Sequence, residues 1–143
     1  METSTDRIER EISIAATAER VWELIRRPGW WINDGEVVDH TFDPDSDVNV
    51  ITHPVHGIFR VRTVALDKPR YAAFRWLGDD DGAATTLVEF WIESAASGVT
   101  LRVSESGFDS LGVSGEERRK KIEGNTEGWL IELDAALKWA LRS

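Results

Sequence analysis

The sequence contains no cysteine, and that absence removes several chemistries at once. There is no disulfide, no thiol nucleophile and no cysteine-based metal site. A reducing compartment suits such a chain. Long apolar runs are also missing: no segment approaches the roughly 20 apolar residues needed to span a bilayer. The start, METSTDRIERE, is polar and charged and holds no signal-peptide stretch. A cytoplasmic protein without membrane insertion is expected. Basic charge is scarce, with 17 Lys and Arg against 26 Asp and Glu and a net charge of −9. Phosphate-backbone binding needs a concentrated basic surface, so nucleic acid is not an expected partner. The one basic run, Arg118 to Lys121, is flanked by Glu116, Glu117 and Glu123 and reads as a solvated helix start.

Catalytic signatures are equally sparse. Ser104, Ser106, Ser110 and Ser114 lie in no Gly-x-Ser-x-Gly turn. No phosphate-cradling glycine loop and no dinucleotide fingerprint occurs. Asp79-Asp80-Asp81 lacks the glutamate spacing of a calcium loop and reads as a solvated turn. His53 and His56 straddle Pro54, which is not a helical zinc signature, and a metal would need further ligands from His40 or carboxylates. No catalytic set, metal or cofactor is assigned.

What the chain does have is seven tryptophans in 143 residues. Each brings a large apolar body and one N–H that wants a partner when buried. The length fits one domain. The alternation of Ile8, Ile12 and Ile14 with Glu9, Glu11 and Ser13 predicts a half-buried strand over Ile8–Ala15. Thr17 is the expected N-cap of a helix with Val21, Trp22, Leu24 and Ile25 on its apolar stripe. Pro28 is expected to open a second short helical turn through Trp30-Trp31. Six more strands are predicted: Glu36–Phe42, Asp47–His53, Ile58–Asp67, Tyr71–Leu77, Ala84–Ser94 and Gly98–Ser106, separated by turn-rich connections. The final stretch, Ser114 to Arg142, carries Ile122, Thr126, Trp129, Leu133, Ala136, Leu137 and Ala140 at steps of three and four. A helix of that length runs roughly 42 Å, enough to cross a whole sheet. Strands grouped together with helices at the ends indicate an α+β domain. On the strands, Ala72, Phe74 and Trp76 share one face, as do Val88, Phe90 and Ile92, and Leu101, Val103 and Glu105.

The order of these elements resembles the START-like superfamily (SRPBCC, birch-pollen-allergen-like), and within it the activator of heat-shock-protein-90 ATPase homologues. The resemblance is carried by the Ile14 to Ile25 strand-to-helix passage, the Trp30-Trp31 turn, and Val64 to Pro69 running into Phe74-Arg75-Trp76. It continues through Thr86 to Phe90, Gly98 to Leu101, Ser106-Gly107-Phe108 and Gly128-Trp129. It implies a helix-grip fold: a seven-stranded antiparallel sheet curled around the C-terminal helix, two short helices between strands one and two, and a cavity for hydrophobic molecules. Two departures stand out. His53, Pro54 and His56 occupy a segment that is a plain glycine-rich hairpin in many relatives, and Glu105 stands where relatives often have a histidine.

The expected function is therefore binding of a hydrophobic small molecule, aromatic, polyketide-like or lipid, by a monomer or weak homodimer. Expected wall residues are Trp31, Phe59, Phe74, Trp76, Phe90, Phe108, Trp129 and Leu133, with His53 and Glu105 as polar contacts. The same aromatic residues would equally serve a filled core. For Glu105 the plainer expectation is a solvated strand end or a pairing with an arginine; facing inward, it would hold a ligand or act as a general base. Gly128 is expected to let the helix approach its neighbour closely. Three alternatives remain open: a cyclase or hydrolase in the same cavity, a self-sacrifice antibiotic-resistance protein, and a chaperone ATPase co-regulator.

Overall fold

The computed structural model describes residues 7–33, 35–38, 41–54, 57–77, 86–108 and 114–142. His40, His56, Ser110 and the Asp79-Asp80-Asp81 turn lie outside them. The chain builds β1 (Arg7–Ile14), α1 (Ala18–Ile25), β2 (Val48–His53), β3 (Gly57–Asp67), β4 (Tyr71–Leu77), β5 (Leu87–Ala95), β6 (Gly98–Ser106) and α2 (Gly115–Leu141). The strands form one antiparallel sheet in the order β1-β6-β5-β4-β3-β2. The chain thus climbs as a meander from β2 to β6, and β1 closes the far edge. Period-two alternation does what it should: Ala72 and Phe74, Val88, Phe90 and Ile92, and Leu101, Val103 and Glu105 are all buried on the face that α1 and α2 cover.

Two expectations are corrected. Among the described residues the sheet has six strands, not seven, and the described part of Glu36–Phe42 is irregular. Within it Val38 N–H donates to Asn33 Oδ1 (3.3 Å), and just before it Gly35 N–H donates to Glu132 (3.2 Å). An amide bound to a side chain is lost to a ladder. Among the described residues there is also one helix between β1 and β2, not two. Residues 26–31 form successive turns, with Trp30 N–H on Arg27 O and Ile32 N–H on Gly29 O. Gly29 sits at φ 74°, where a helix cannot continue, and a Cβ there would lie 2.6 Å from Ile51. The chain therefore turns sharply and drives Trp30 and Trp31 into the core.

Both helices have the caps their sequences offer. Thr17 accepts from Arg20 N–H and Ser114 from Glu117 N–H, each at 3.1 Å. The C-terminus of α2 is held by α1. The Arg20 guanidinium donates to the carbonyls of Trp139 (2.9 Å), Arg142 (2.9 Å) and Ala140 (3.4 Å), and its carbon lies 3.8 Å from the centre of the Trp139 ring. A cation placed there meets orphan carbonyls and the negative end of the helix dipole together. Among the described residues, no helix is long and apolar enough to cross a membrane.

Two predictions follow from these contacts. Arg20→Ala should lower stability by about 1–3 kcal/mol in urea unfolding, and Arg20→Lys should recover little, because an ammonium cannot reproduce the planar fork and the stacking. On the outer face of the sheet, Tyr71 donates to Glu89 at 2.6 Å. Burial, then the hydrogen bond to Glu89 and its charge, push the phenol up from 10.0 to about 12. The folded state therefore keeps a proton that the unfolded chain releases, and the stability this represents is present below pH 10 and lost as pH rises toward about 12. Tyr71 is the sole tyrosine, so tyrosinate absorbance reports it directly. Its midpoint should fall in Glu89→Gln; a wild-type midpoint at the ordinary value would refute the assignment.

Candidate functional site

The core around the sheet is aromatic. Trp31 is its hub: its ring centre lies 5.5–6.2 Å from those of Trp30, Phe74, Trp76, Phe90 and Trp129. Such tilted and edge-on pairs add about 0.5–1.5 kcal/mol each beyond the area they bury. The sharp turn at Gly29 places Trp31 here, and Phe59 backs Trp76 from the far side at 5.5 Å.

Beside this hub lies a cavity of about 420 Å³. On the sheet side it is lined by Trp31, Asn33, Trp76 and Glu105, and on the α2 side by Gly124, Asn125, Gly128, Trp129, Ile131 and Glu132. The space lies where α2 is seated mainly by its second half. Its buried residues run from Trp129 to Ala140, and none precedes Trp129. Gly124 and Gly128, one helical turn apart, remove the side chains that would otherwise fill the gap. A Cβ added at either would meet nothing within 4 Å. The expectation that Gly128 permits close helix approach is thus corrected: it faces open space.

Two buried carboxylates border the cavity. Glu105 is 3 % exposed. Its Oε2 accepts from Thr86 Oγ1 at 2.6 Å, and its Oε1 from Trp129 Nε1 at 2.9 Å and Asn125 Nδ2 at 3.1 Å. The strand end is therefore neither solvated nor paired with an arginine, contrary to the plainer expectation; three neutral donors from two sides satisfy it. Glu132 is 7 % exposed and accepts from Asn33 Nδ2 (3.3 Å) and Gly35 N–H (3.2 Å). Asn33 also donates to Trp30 O. Together the two carboxylates tie α2 to β6 and to the turn that follows Trp31.

Of the ten residues singled out from sequence, Trp31, Trp76, Glu105 and Trp129 line the cavity. Phe74, Phe90, Phe108 and Leu133 are fully buried core behind those walls. Phe59 is half-buried against Trp76. His53 is buried as the last residue of β2, opposite Gly57, and is not among the lining residues. Among the described residues no group of three or more His, Asp or Glu could hold a metal ion. Sequence reasoning missed Asn33, Gly124, Asn125, Ile131 and Glu132. A signal was present: glycines at i and i+4, followed by a glutamate between Trp129 and Leu133 on the same apolar stripe, is a poor pattern for a helix that only packs.

The sequence matches no protein-family profile and no curated protein. The fold, in contrast, recurs among solved structures. Protein MLL2253 from Mesorhizobium loti superposes with a TM-score of 0.72 at 19% identity, over 93% of this chain and 95% of its own. Protein CV1439 from Chromobacterium violaceum gives 0.70 at 16% identity, over 96% and 99%. DynU16, a protein in the dynemicin biosynthetic locus, gives 0.66 at 19% identity over 94% of this chain, which spans 46% of DynU16. A six-stranded antiparallel sheet with a long C-terminal helix around an aromatic cluster is consistent with a helix-grip, START-like fold. Likeness at these identities establishes fold and not activity.

The Glu105 bonds yield a direct test. Trp129→Phe keeps a ring in the core but deletes the indole donor, leaving Asn125 alone on Oε1. It should cost about 1–3 kcal/mol, the range for orphaning part of a buried polar group. Trp129→Ala should cost about 3–5 kcal/mol. Urea unfolding distinguishes them; a Trp129→Phe variant as stable as the wild type would mean that the hydrogen bond contributes nothing.

Proposed function

We propose that this chain is a small-molecule binding protein of the START-like class, aligned with the activator of heat-shock-protein-90 ATPase homologues. Its ligand is a molecule with a hydrophobic, aromatic or polyketide-like body, held between the sheet and α2. The observation that carries this reading is the open space above Gly124 and Gly128. A mid-helix glycine costs about 1 kcal/mol relative to alanine, and two of them on one face buy no packing contact. Rigid indole walls around a void of this size suit a pocket for a small ligand. Glu105 fits an anchoring role better than a general base, since both its oxygens already accept hydrogen bonds from protein donors.

Native mass spectrometry of the purified protein, followed by a thermal-shift screen of aromatic polyketides and lipids, tests the reading, because a ligand bound to the folded state raises its melting temperature. Gly128→Ala should raise intrinsic stability by about 1 kcal/mol. Gly128→Leu should fill the cavity, remain folded and lose the ligand-induced shift. A shift of undiminished size in Gly128→Leu would overturn the assignment of the cavity as the binding site.

A further inference from the structure

One wall of the cavity is built from a poor helix. It is the stretch Gly124-Asn125-Thr126-Glu127-Gly128 of α2, in which Gly124, Asn125 and Gly128 line the space. Glycine, asparagine and threonine stand at the unfavourable end of helix propensity, and four of these five residues are of those types. Thr126 Oγ1 also donates to the Ile122 carbonyl at 2.6 Å, a back-bond of the kind that bends helices. Space alone does not call for the two glycines. A Cβ at either position would meet nothing within 4 Å, so alanine fits the same void and propensity favours it. What alanine lacks is the backbone freedom of glycine.

The stretch also falls at a boundary. Every buried residue of α2 lies after it, from Trp129 to Ala140. The turns before it, residues 115–123, are held lightly. Ile122 is their one large apolar residue, and it is only partly buried against the core. The hydrogen bond that ties this part of the helix to the sheet runs from Asn125 Nδ2 to Glu105 Oε1 at 3.1 Å. Breaking it leaves Glu105 with Trp129 Nε1 on one oxygen and Thr86 Oγ1 on the other. Both of those donors sit outside the weak stretch, so the buried carboxylate stays met while the helix moves.

We propose that residues 124–128 are a hinge, that residues 115–123 swing about it as a lid, and that Asn125 latches the lid to Glu105. Its use in admitting a ligand rests on the binding reading above. The seated half of α2 and the indole hub form the fixed part of the cavity, and the lid is the part that moves. Elements with few buried contacts open locally at the low end of a protein's stability range.

A chain without cysteine accepts site-directed labels with no background. Nitroxides on Lys121→Cys and Glu11→Cys, both exposed positions, report the lid against the sheet by pulsed electron spin resonance of the full chain with no ligand present. The wild type should show one main distance and a second, minor one on the order of 0.1–10%. Asn125→Asp keeps the shape but replaces the donor with a carboxylate facing Glu105, and it should raise the second population at least about tenfold. Adding Gly124→Ala and Gly128→Ala should lower it again by about tenfold or more. A control pair on Lys138→Cys and Glu11→Cys, beyond the hinge, should keep a single distance throughout. Helical circular dichroism should hold in Asn125→Asp, because the lid swings without unwinding. Absence of the second distance in Asn125→Asp, or loss of helical signal in proportion to it, would overturn the hinge. In stopped flow, the Gly124→Ala, Gly128→Ala variant should take up and release the neutral dye N-phenyl-1-naphthylamine about tenfold more slowly than the wild type; equal rates would overturn the lid's part in ligand entry. Failure of the dye to bind at all would count against the binding reading, and the label distances, measured without ligand, would still decide the hinge.

Discussion

A carboxylate buried in protein must be met by donors or it is not tolerated, since removing such an ion from water costs several kcal/mol even after relaxation. Glu105 imposes that constraint on this molecule. It sits on the inward face of β6, and its three donors come from Thr86, just before β5, and from Asn125 and Trp129 on α2. The helix can satisfy the carboxylate in only one register, because Asn125 and Trp129 are one turn apart and must both reach the same oxygen. That register fixes the Trp129 ring against Trp31 and Phe90. It also presents Gly124 and Gly128 to the space beside the hub. The hydrogen bonds therefore set the position of the cavity, although the aromatic contacts supply more of the cohesion.

The helix is anchored twice more, and the three anchors divide it. Glu132 ties its middle to the turn after Trp31, and Arg20 holds its C-terminal carbonyls. All six buried residues of α2 lie in the half between the Glu105 contact and the Arg20 contact. The first half carries its charges in solution, with an exposed pair between Lys120 and Glu116 that contributes little. The cavity lies where the fully buried half of the helix gives way to a half held by Asn125 and the partly buried Ile122.

The strands and both helices were legible in the sequence because each buries one face, and burial on one face leaves a period. Phe74, Phe90 and Val103 could be placed from alternation alone. Glu36–Phe42 was misread for a physical reason: its pattern is compatible with a strand, but Asn33 captures the Val38 amide and Glu132 the Gly35 amide just before the stretch, and capture by a residue as remote as Glu132 leaves no local trace. Glu132 lies 97 positions from Gly35 in the chain. The second helical turn failed at Gly29, where the backbone conformation is dictated by the close approach of Ile51. Within the site, indole walls were legible because large aromatic residues are conspicuous. His53 was not, because a histidine at a strand end reads the same whether it faces a cavity or the sheet margin.

The same two carboxylates that position the helix also burden the fold. Both are buried beside the cavity, and a buried carboxylate has a desolvation cost even where donors meet it. A sequence shaped only for stability would replace one with glutamine and fill the glycines with alanine or leucine, gaining from helix propensity and packing. Retaining charge, void and glycine together is costly in three independent ways at one location. Local rules that fail together in this manner mark a site shaped for something other than folding. An apolar body in the space beside Gly128 would make the contacts that the empty fold forgoes, so the features that weaken the fold are the ones that would hold a ligand.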